Sequence, residues 1–272
     1  MLLITGCSGQ LGTELKLLLP RAIGADVADL DITDAEAVRR FVRENKIDTI
    51  INCAAYTAVD KAEDEPEKCR LINVDGVRNL VLTGAKMIHI STDYVFDGKG
   101  YKPYVETDQT GPISVYGQTK LEGEKAVLET AETCAVIRTA WLYSPYGTNF
   151  VKTMRRLGAE REKISVVADQ IGTPTCAVDL AKAITVLLSQ IKEGSKEVYH
   201  YSNEGTCSWY DFAREIMKLS GLNCYVEPIE SVQYPTKAKR PFYSVLNKSK
   251  IKSLGIEVPH WQESLEKCLK KF

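Results

Sequence analysis

Short apolar runs alternate, along the first half of the chain, with longer stretches in which apolar residues recur every three or four positions. Residues 1–5 are apolar and read as a buried strand. A helix follows in which Leu11, Leu15, Leu18 and Leu19 share a face until Pro20 stops it. A second strand over about 22–26 ends at Asp26. Asp34 to Asn45 reads as an amphipathic helix with Ala37, Val38, Phe41 and Val42 inward. Residues 48–52 form a third strand, a helix near 66–84 leads to a fourth strand over 87–91, and a helix running to about 131 precedes a fifth over 134–138. Near-continuously apolar strands alternating with helices predict an α/β fold, a doubly wound parallel sheet with helices on both faces. After residue 143 the rhythm loosens. Helices near 148–158, 178–192, 208–219 and 260–271 are separated by Pro- and Gly-marked loops, with 228–241 as extended loop. A strand near 197–201 is expected to return to the main sheet. The expected division is a dinucleotide-binding domain over 1–143 and a smaller, mainly substrate-binding α/β region over 144–272.

Charge narrows the classes. With 35 basic and 36 acidic residues and no long run of one sign, the chain shows no patch for nucleic acid or an anionic membrane. No apolar run approaches the ~20 residues that span a bilayer, and the start of the chain lacks the basic and long apolar segments of a signal peptide. The eight cysteines are scattered without a Cys-x-x-Cys pair, and there are three histidines. That pattern argues against a structural zinc site or a disulfide framework. A reduced, cytoplasmic protein with no resident metal is expected.

The chemistry starts where the first strand turns into the first helix. Gly6, Gly9 and Gly12 there suit a tight turn, close approach of the backbone to a pyrophosphate and close helix–strand packing. The backbone of Gln10 and Leu11 sits at the helix N-terminus, whose free N–H groups attract phosphate. This marks a Rossmann-type dinucleotide site, although the spacing is Gly-x-x-Gly-x-x-Gly. Asp26, ending the second strand, is placed to accept from an adenosine ribose hydroxyl, which favours NAD(H), or to serve as a loop carboxylate. Asp31 and Ile32 are alternatives facing the adenine. Ala54, Ala55 and Thr57 follow the third strand at the sheet edge where a cofactor lies, or simply pack there.

Tyr116 and Lys120 lie one helical turn apart on one face. A phenol ordinarily titrates near pH ~10, and a neighbouring ammonium is expected to lower that value. Thr92, beside Ser91 at the end of the fourth strand, can hydrogen-bond the same substrate oxygen.

With both sites in hand, the chain resembles the extended short-chain dehydrogenase/reductases, in the branch that reduces 4-keto groups of dTDP-linked deoxysugars. The segments that carry this are Thr5-Gly6-Cys7-Ser8-Gly9-Gln10-Leu11-Gly12, Asp29-Leu30-Asp31-Ile32-Thr33-Asp34, residues 52–63, Ser91-Thr92-Asp93-Tyr94-Val95-Phe96-Asp97-Gly98, residues 116–124, residues 138–143, residues 169–175 and Arg240-Pro241. The resemblance implies that the keto group of a dTDP-sugar sits against Tyr116 and Thr92, and that Lys120 holds the nicotinamide ribose of NADPH or NADH. It implies sugar contact by Trp141 and by Asp93, the latter otherwise a turn carboxylate, and diphosphate contact by Arg240, otherwise a surface side chain. Related 4,6-dehydratases carry Thr-Asp-Glu where this chain has Thr92-Asp93-Tyr94, so their elimination pair is missing. The resemblance implies a monomer or a homodimer, with Mg2+ only at a dimer interface. It leaves two further readings. One is a reductase or epimerase of another nucleotide-linked keto-deoxysugar. The other is a noncatalytic regulatory subunit similar to the beta subunit of methionine adenosyltransferase, from which Gln10 and Trp141 point away.

Overall fold

The structure is a computed structural model describing residues 1–272. Five strands arise where expected: β1 (Leu2–Thr5), β2 (Ile23–Ala25), β3 (Thr49–Asn52), β4 (Lys86–Thr92) and β5 (Cys134–Thr139). The helices between them are α1 (Gln10–Leu18), α2 (Ala35–Glu44), α3 (Val59–Ala62), α4 (Pro66–Arg70), α5 (Val77–Val81) and α6 (Val115–Thr130). Asp34 caps α2 by accepting from the N–H groups of Glu36 and Ala37, and Ser114 caps α6 by accepting from Gly117. The helix expected near 66–84 is interrupted. Between α4 and α5 it widens into a π-helical turn, Leu71–Gly76.

The second half adds β6 (Leu142–Tyr143), α7 (Phe150–Glu160), β7 (Lys163–Val167), β8 (Ile171–Gly172), β9 (Thr175–Cys176), α8 (Ala177–Leu188), β10 (Lys196–His200), β11 (Cys207–Ser208), α9 (Trp209–Leu219), β12 (Tyr225–Ile229), α10 (Ser249–Lys252) and α11 (Trp261–Leu269). The stretch 228–241 is not all extended loop. Its start belongs to β12, which pairs in parallel with β7, and Ser231–Gln233 is a 3-10 turn. Pro228 is tolerated because each strand of this pair has a free edge.

The main sheet is six-stranded and parallel, in the order β10-β5-β4-β3-β1-β2. The chain leaves β1 toward β2 and then returns to β3 on the other side of β1. That reversal opens a crevice at the carboxyl ends of these strands. One face of the sheet is covered by α1 and α8, through Leu11, Leu15, Leu180, Ile184 and Leu187. The other is covered by α2, α5 and α6, through Val38, Val42, Val77, Leu80 and Val127. Because α8 and β10 pack in the sheet layer, the second half is not one contiguous unit. What stands apart is a cluster from α7, α9 and α11, centred on Phe212, Ile216, Trp261 and Leu265. No helix is long and apolar enough to cross a membrane.

Beneath the sheet edge lies a buried ion pair. Arg138 of β5 donates from Nε to Glu124 Oε1 at 3.0 Å and from Nη2 to Oε2 at 2.8 Å, with both side chains at most 5% exposed. Arg138→Met would strand the Glu124 carboxylate. We expect a loss of about 3–5 kcal/mol in urea unfolding, with most of it regained in the double variant Glu124→Leu/Arg138→Met. A single-variant loss below about 1 kcal/mol would mean that Glu124 finds another partner.

Candidate active site

The crevice is a cavity of about 1070 Å3 running from the glycine turn to the first turn of α6. At one end Gly6 adopts φ +64°, open to few residues other than glycine, and packs on the backbone of Cys53 and Ala54. A Cβ on Gly12 would overlap the Gly6 carbonyl oxygen. The cap of α1 is Gly9, which offers no side chain, so the amides of Gln10, Leu11 and Gly12 remain free to face an anion. These glycines form a cradle that any Cβ would fill, and it fits a dinucleotide pyrophosphate.

All of the expected cofactor residues line this cavity, Gly6, Gly9, Gln10, Leu11, Gly12, Asp26, Asp31, Ile32, Ala54, Ala55 and Thr57 together with Tyr116 and Lys120. Their parts differ from expectation in detail. The Leu11 side chain belongs to the core, so only its backbone is offered. Asp26 accepts from the Ser8 N–H at 2.9 Å and from the Cys7 thiol at 3.3 Å, which ties β2 to the glycine turn. Burial pushes its carboxyl up, but the bonds from Ser8 and Cys7 outweigh this and hold it below its ordinary value. Asp31 is turned onto its own loop, accepting from the Thr33 N–H and hydroxyl. Gln10 reaches across to the second half, where its Oε1 accepts from Asn149 at 2.9 Å.

At the other end stand Thr92, Asp93, Tyr116 and Lys120. Thr92, the last residue of β4, accepts from the Tyr94 N–H and donates to Asp93 Oδ1 at 3.0 Å. The second Asp93 oxygen and the Ser91 hydroxyl are buried without a protein partner, and burial raises the Asp93 carboxyl to about 6. Tyr116 stands against the Thr92 hydroxyl, with the ring of Tyr94 edge-on at 5.5 Å. Lys120 is 1% exposed and donates to the Ile90 carbonyl at 2.6 Å.

The expectation that Lys120 lowers the Tyr116 phenol is not met among the protein's own groups. Burial raises the phenol, and the one group that lowers it is the Thr92 hydroxyl. Burial also lowers the Lys120 amine to about 8, against a smaller pull from Glu124. Desolvation disfavours both charged forms at once, and neither group is among those that shift the other.

Trp141 lines the cavity at φ +48°, unusual for a bulky side chain. It is held there by Trp209, stacked at 3.6 Å with 11° between the rings, and by the bare face of Gly172. Trp209 and Asn149 are lining residues that the sequence reading missed. The only local signal for Trp209 was its place at the start of a helix whose capping box, Ser208 with Asp211, is legible.

Arg240 is paired within the chain. The structure does not place it on the cavity wall, because Asp60 takes up its guanidinium from Nη1 at 3.1 Å and from Nη2 at 2.6 Å. Lys237 pairs with Asp64 at 2.5 Å beside it, so the 234–241 loop is clasped to α3 and its following turn. Nowhere in the chain do three or more His, Cys, Asp or Glu side chains group to hold a metal.

The arrangement matches one family along its whole length. The family model described as RmlD substrate binding domain covers residues 1–272. A dTDP-4-dehydrorhamnose reductase of Streptomyces griseus is 44% identical over 97% of this chain and 91% of its own length. The chain belongs to the dTDP-4-dehydrorhamnose reductase family. A solved structure of that enzyme from Bacillus anthracis, in complex with NADP, superposes with a TM-score of 0.95 at 42% identity, covering 100% of this chain and 99% of the other. A dTDP-4-keto-6-deoxy-D-glucose reductase of Streptomyces niveus is 39% identical over 97% of this chain and 94% of its own length.

Gly12→Ala tests the cradle. The added Cβ meets backbone rather than a flexible side chain, so the turn must open. NADPH titrated by its fluorescence should bind at least about tenfold more weakly, a difference of ~1.4 kcal/mol, with the circular dichroism unchanged. Unaltered affinity would remove the pyrophosphate from this turn.

Proposed function

We propose that this chain reduces the 4-keto group of dTDP-4-dehydro-L-rhamnose to give dTDP-L-rhamnose. One observation carries the reading. A phenol, a hydroxyl and an amine converge at one end of a cavity whose other end is a dinucleotide cradle, in a chain matched end to end by reductases of this substrate. A bound reduced nicotinamide supplies a hydride. The chain supplies everything around it. Gly6, Gly9, Gly12 and the first amides of α1 hold the pyrophosphate. Asp26, at the far end of the turn, faces the adenosine ribose and leaves NADH and NADPH both usable. Lys120 holds the nicotinamide ribose.

On the substrate side, Tyr116 delivers the proton to the C4 oxygen as the carbon accepts the hydride, and the Thr92 hydroxyl bonds the same oxygen. Asp93, with a buried oxygen free of protein partners, accepts from a sugar hydroxyl. Trp141 packs on the sugar ring. Tyr94 occupies the position where the dehydratases resembling this chain place a carboxylate, and its ring lies against Tyr116, so the site is set for reduction without elimination.

The decisive assay is loss of reduced cofactor with dTDP-4-keto-6-deoxy-L-mannose, compared with its D-configured and GDP-linked analogues. Faster turnover of the dTDP-linked L-sugar is expected, and none with that sugar would overturn the proposal. Tyr116→Phe should lower kcat on the order of 10²–10⁴-fold with cofactor affinity retained, because the ring still fills its place but carries no proton. Wild-type-like kcat would remove Tyr116 as the donor.

The pH dependence has a definite sign. The Thr92 hydroxyl has no charge to lose, whereas burial brings the loss of charge of the Lys120 ammonium, the nearest cation along the helix, down to about 8. kcat/KM for the reduced cofactor, which reports the empty enzyme, should therefore fall as pH rises through about 8. A profile flat to pH ~10 would show that the Lys120 charge does not matter.

A further inference from the structure

Thr5, Asn52 and His89 are register partners across the three parallel strands β1, β3 and β4. All three are buried, and together they form a polar row running beneath the cavity toward Lys120. The row has a single consistent direction. The Ala54 N–H can only donate, and it meets Asn52 Oδ1 at 3.1 Å; the Thr5 hydroxyl donates to the same oxygen at 2.6 Å. The other end of the Asn52 amide is then its NH2 group, which faces His89 Nδ1 at 3.1 Å. An NH2 group only donates, so Nδ1 must carry a lone pair. That excludes imidazolium and fixes the proton of the neutral ring on Nε2. His89 Nε2 lies 3.5 Å from Lys120 Nζ. An N–H here faces an ammonium donor to donor, but it can donate to the lone pair of an uncharged amine.

We propose that His89 is a positioning residue for Lys120: its Nε2–H, fixed by Asn52, favours the uncharged amine and so sets where Lys120 changes charge. The other groups around this amine cannot do so. Glu124, one turn along α6, favours the ammonium, but its carboxylate is occupied by Arg138. The thiols of Cys53 and Cys69 are both raised by burial and uncharged. The Ile90 carbonyl accepts a proton that either form of the amine can provide. The three strands thus bring to the base of Lys120 a single oriented donor, opposed by Glu124 one turn along its own helix. The consequence for turnover rests on the reductase reading, since an amine changing charge near working pH suits proton exchange with Tyr116 far better than one fixed near ~10.4.

Two measurements made without turnover test this. Nitrogen-15 NMR can assign each of the three histidines. The His89 ring should carry its proton on Nε2 and stay neutral across about pH 6–9. A proton on Nδ1, or an imidazolium, overturns the proposal even if no variant folds. Titration of the carbon-13-labelled lysine ε-carbons, with Lys120 assigned by its loss in Lys120→Arg, should give a midpoint near 8 in the empty protein. In His89→Phe, which keeps a flat ring but has no N–H, the midpoint should rise by about one pH unit, and the alkaline limb of kcat/KM should rise with it. A purely structural role would lower the amplitude of activity and leave both midpoints in place, and that outcome also overturns the proposal. The keto-sugar assay is independent. Turnover without the shift would remove His89 and keep the reductase, whereas the shift without turnover would do the reverse.

Discussion

Helix α6 lies closer to its neighbours than a Cβ would permit, and the geometry of the site follows from that approach. Gly117 sits under the Tyr94 carbonyl, and Gly123 sits under the Asn73 carbonyl on the π-helical turn; an alanine at either position would overlap backbone oxygen. Seated this deeply, the helix turns residues 116, 120 and 124 toward the sheet at successive turns. Lys120 can then reach the Ile90 carbonyl, and Tyr116 can meet Thr92. The π-helical turn is the matching half of the contact. Its Asn73 side chain accepts from the Tyr56 N–H and donates to Thr119 on α6, which locks the helix to the segment after β3. One extra residue in a helical turn, otherwise a defect, delivers that amide to the site.

That seating imposes an electrostatic problem, because a phenol, an amine and a carboxylate are all carried out of water on one face. The solution is local. Glu124 is matched by Arg138, whose guanidinium also lies over the Phe96 ring at 5.1 Å. His200, beside Arg138, is pushed down to about 3 by burial and by the guanidinium, so it adds no second positive charge. Tyr116 and Lys120 are left as the only groups of the row without a built-in counterpart. Both are displaced toward their uncharged forms, the phenol up and the amine down. The tuned pair expected from their spacing is therefore not a property of the chain alone. Burial acts on each of the two groups more strongly than either acts on the other.

These facts also explain what the sequence could disclose. Strands buried on both faces must be apolar throughout, so β1, β3, β4 and β5 were legible as runs. The glycine turn was legible because its geometry is set within seven residues. The β7–β12 pair was not, since Pro228 breaks the pattern of a strand that has a free edge. The π-helical turn leaves no mark on helical periodicity, and its cause is a contact with Gly123 far along the chain. Arg240 shows the limit most plainly. Its chemistry as a bidentate anion receptor was readable, but its actual partner, Asp60, lies 180 residues away. Only the fold joins them.

The second half acts on the site through walls that are held in place by tension. The left-handed backbone at Trp141 costs on the order of 1–3 kcal/mol, and it persists because Trp209, fixed at the start of α9 by the Ser208–Asp211 box, stacks on the indole. The Trp141 wall of the cavity is thus set by the C-terminal cluster and not by β5, which carries Trp141 only to the cavity mouth. The clasp between Arg240 and Asp60 adds a condition on the anion. A diphosphate that is to use Arg240 must displace a carboxylate already bound through both oxygens, and it must offer the same planar pair of acceptors with greater charge. A single phosphate ester elsewhere on a ligand offers less of both.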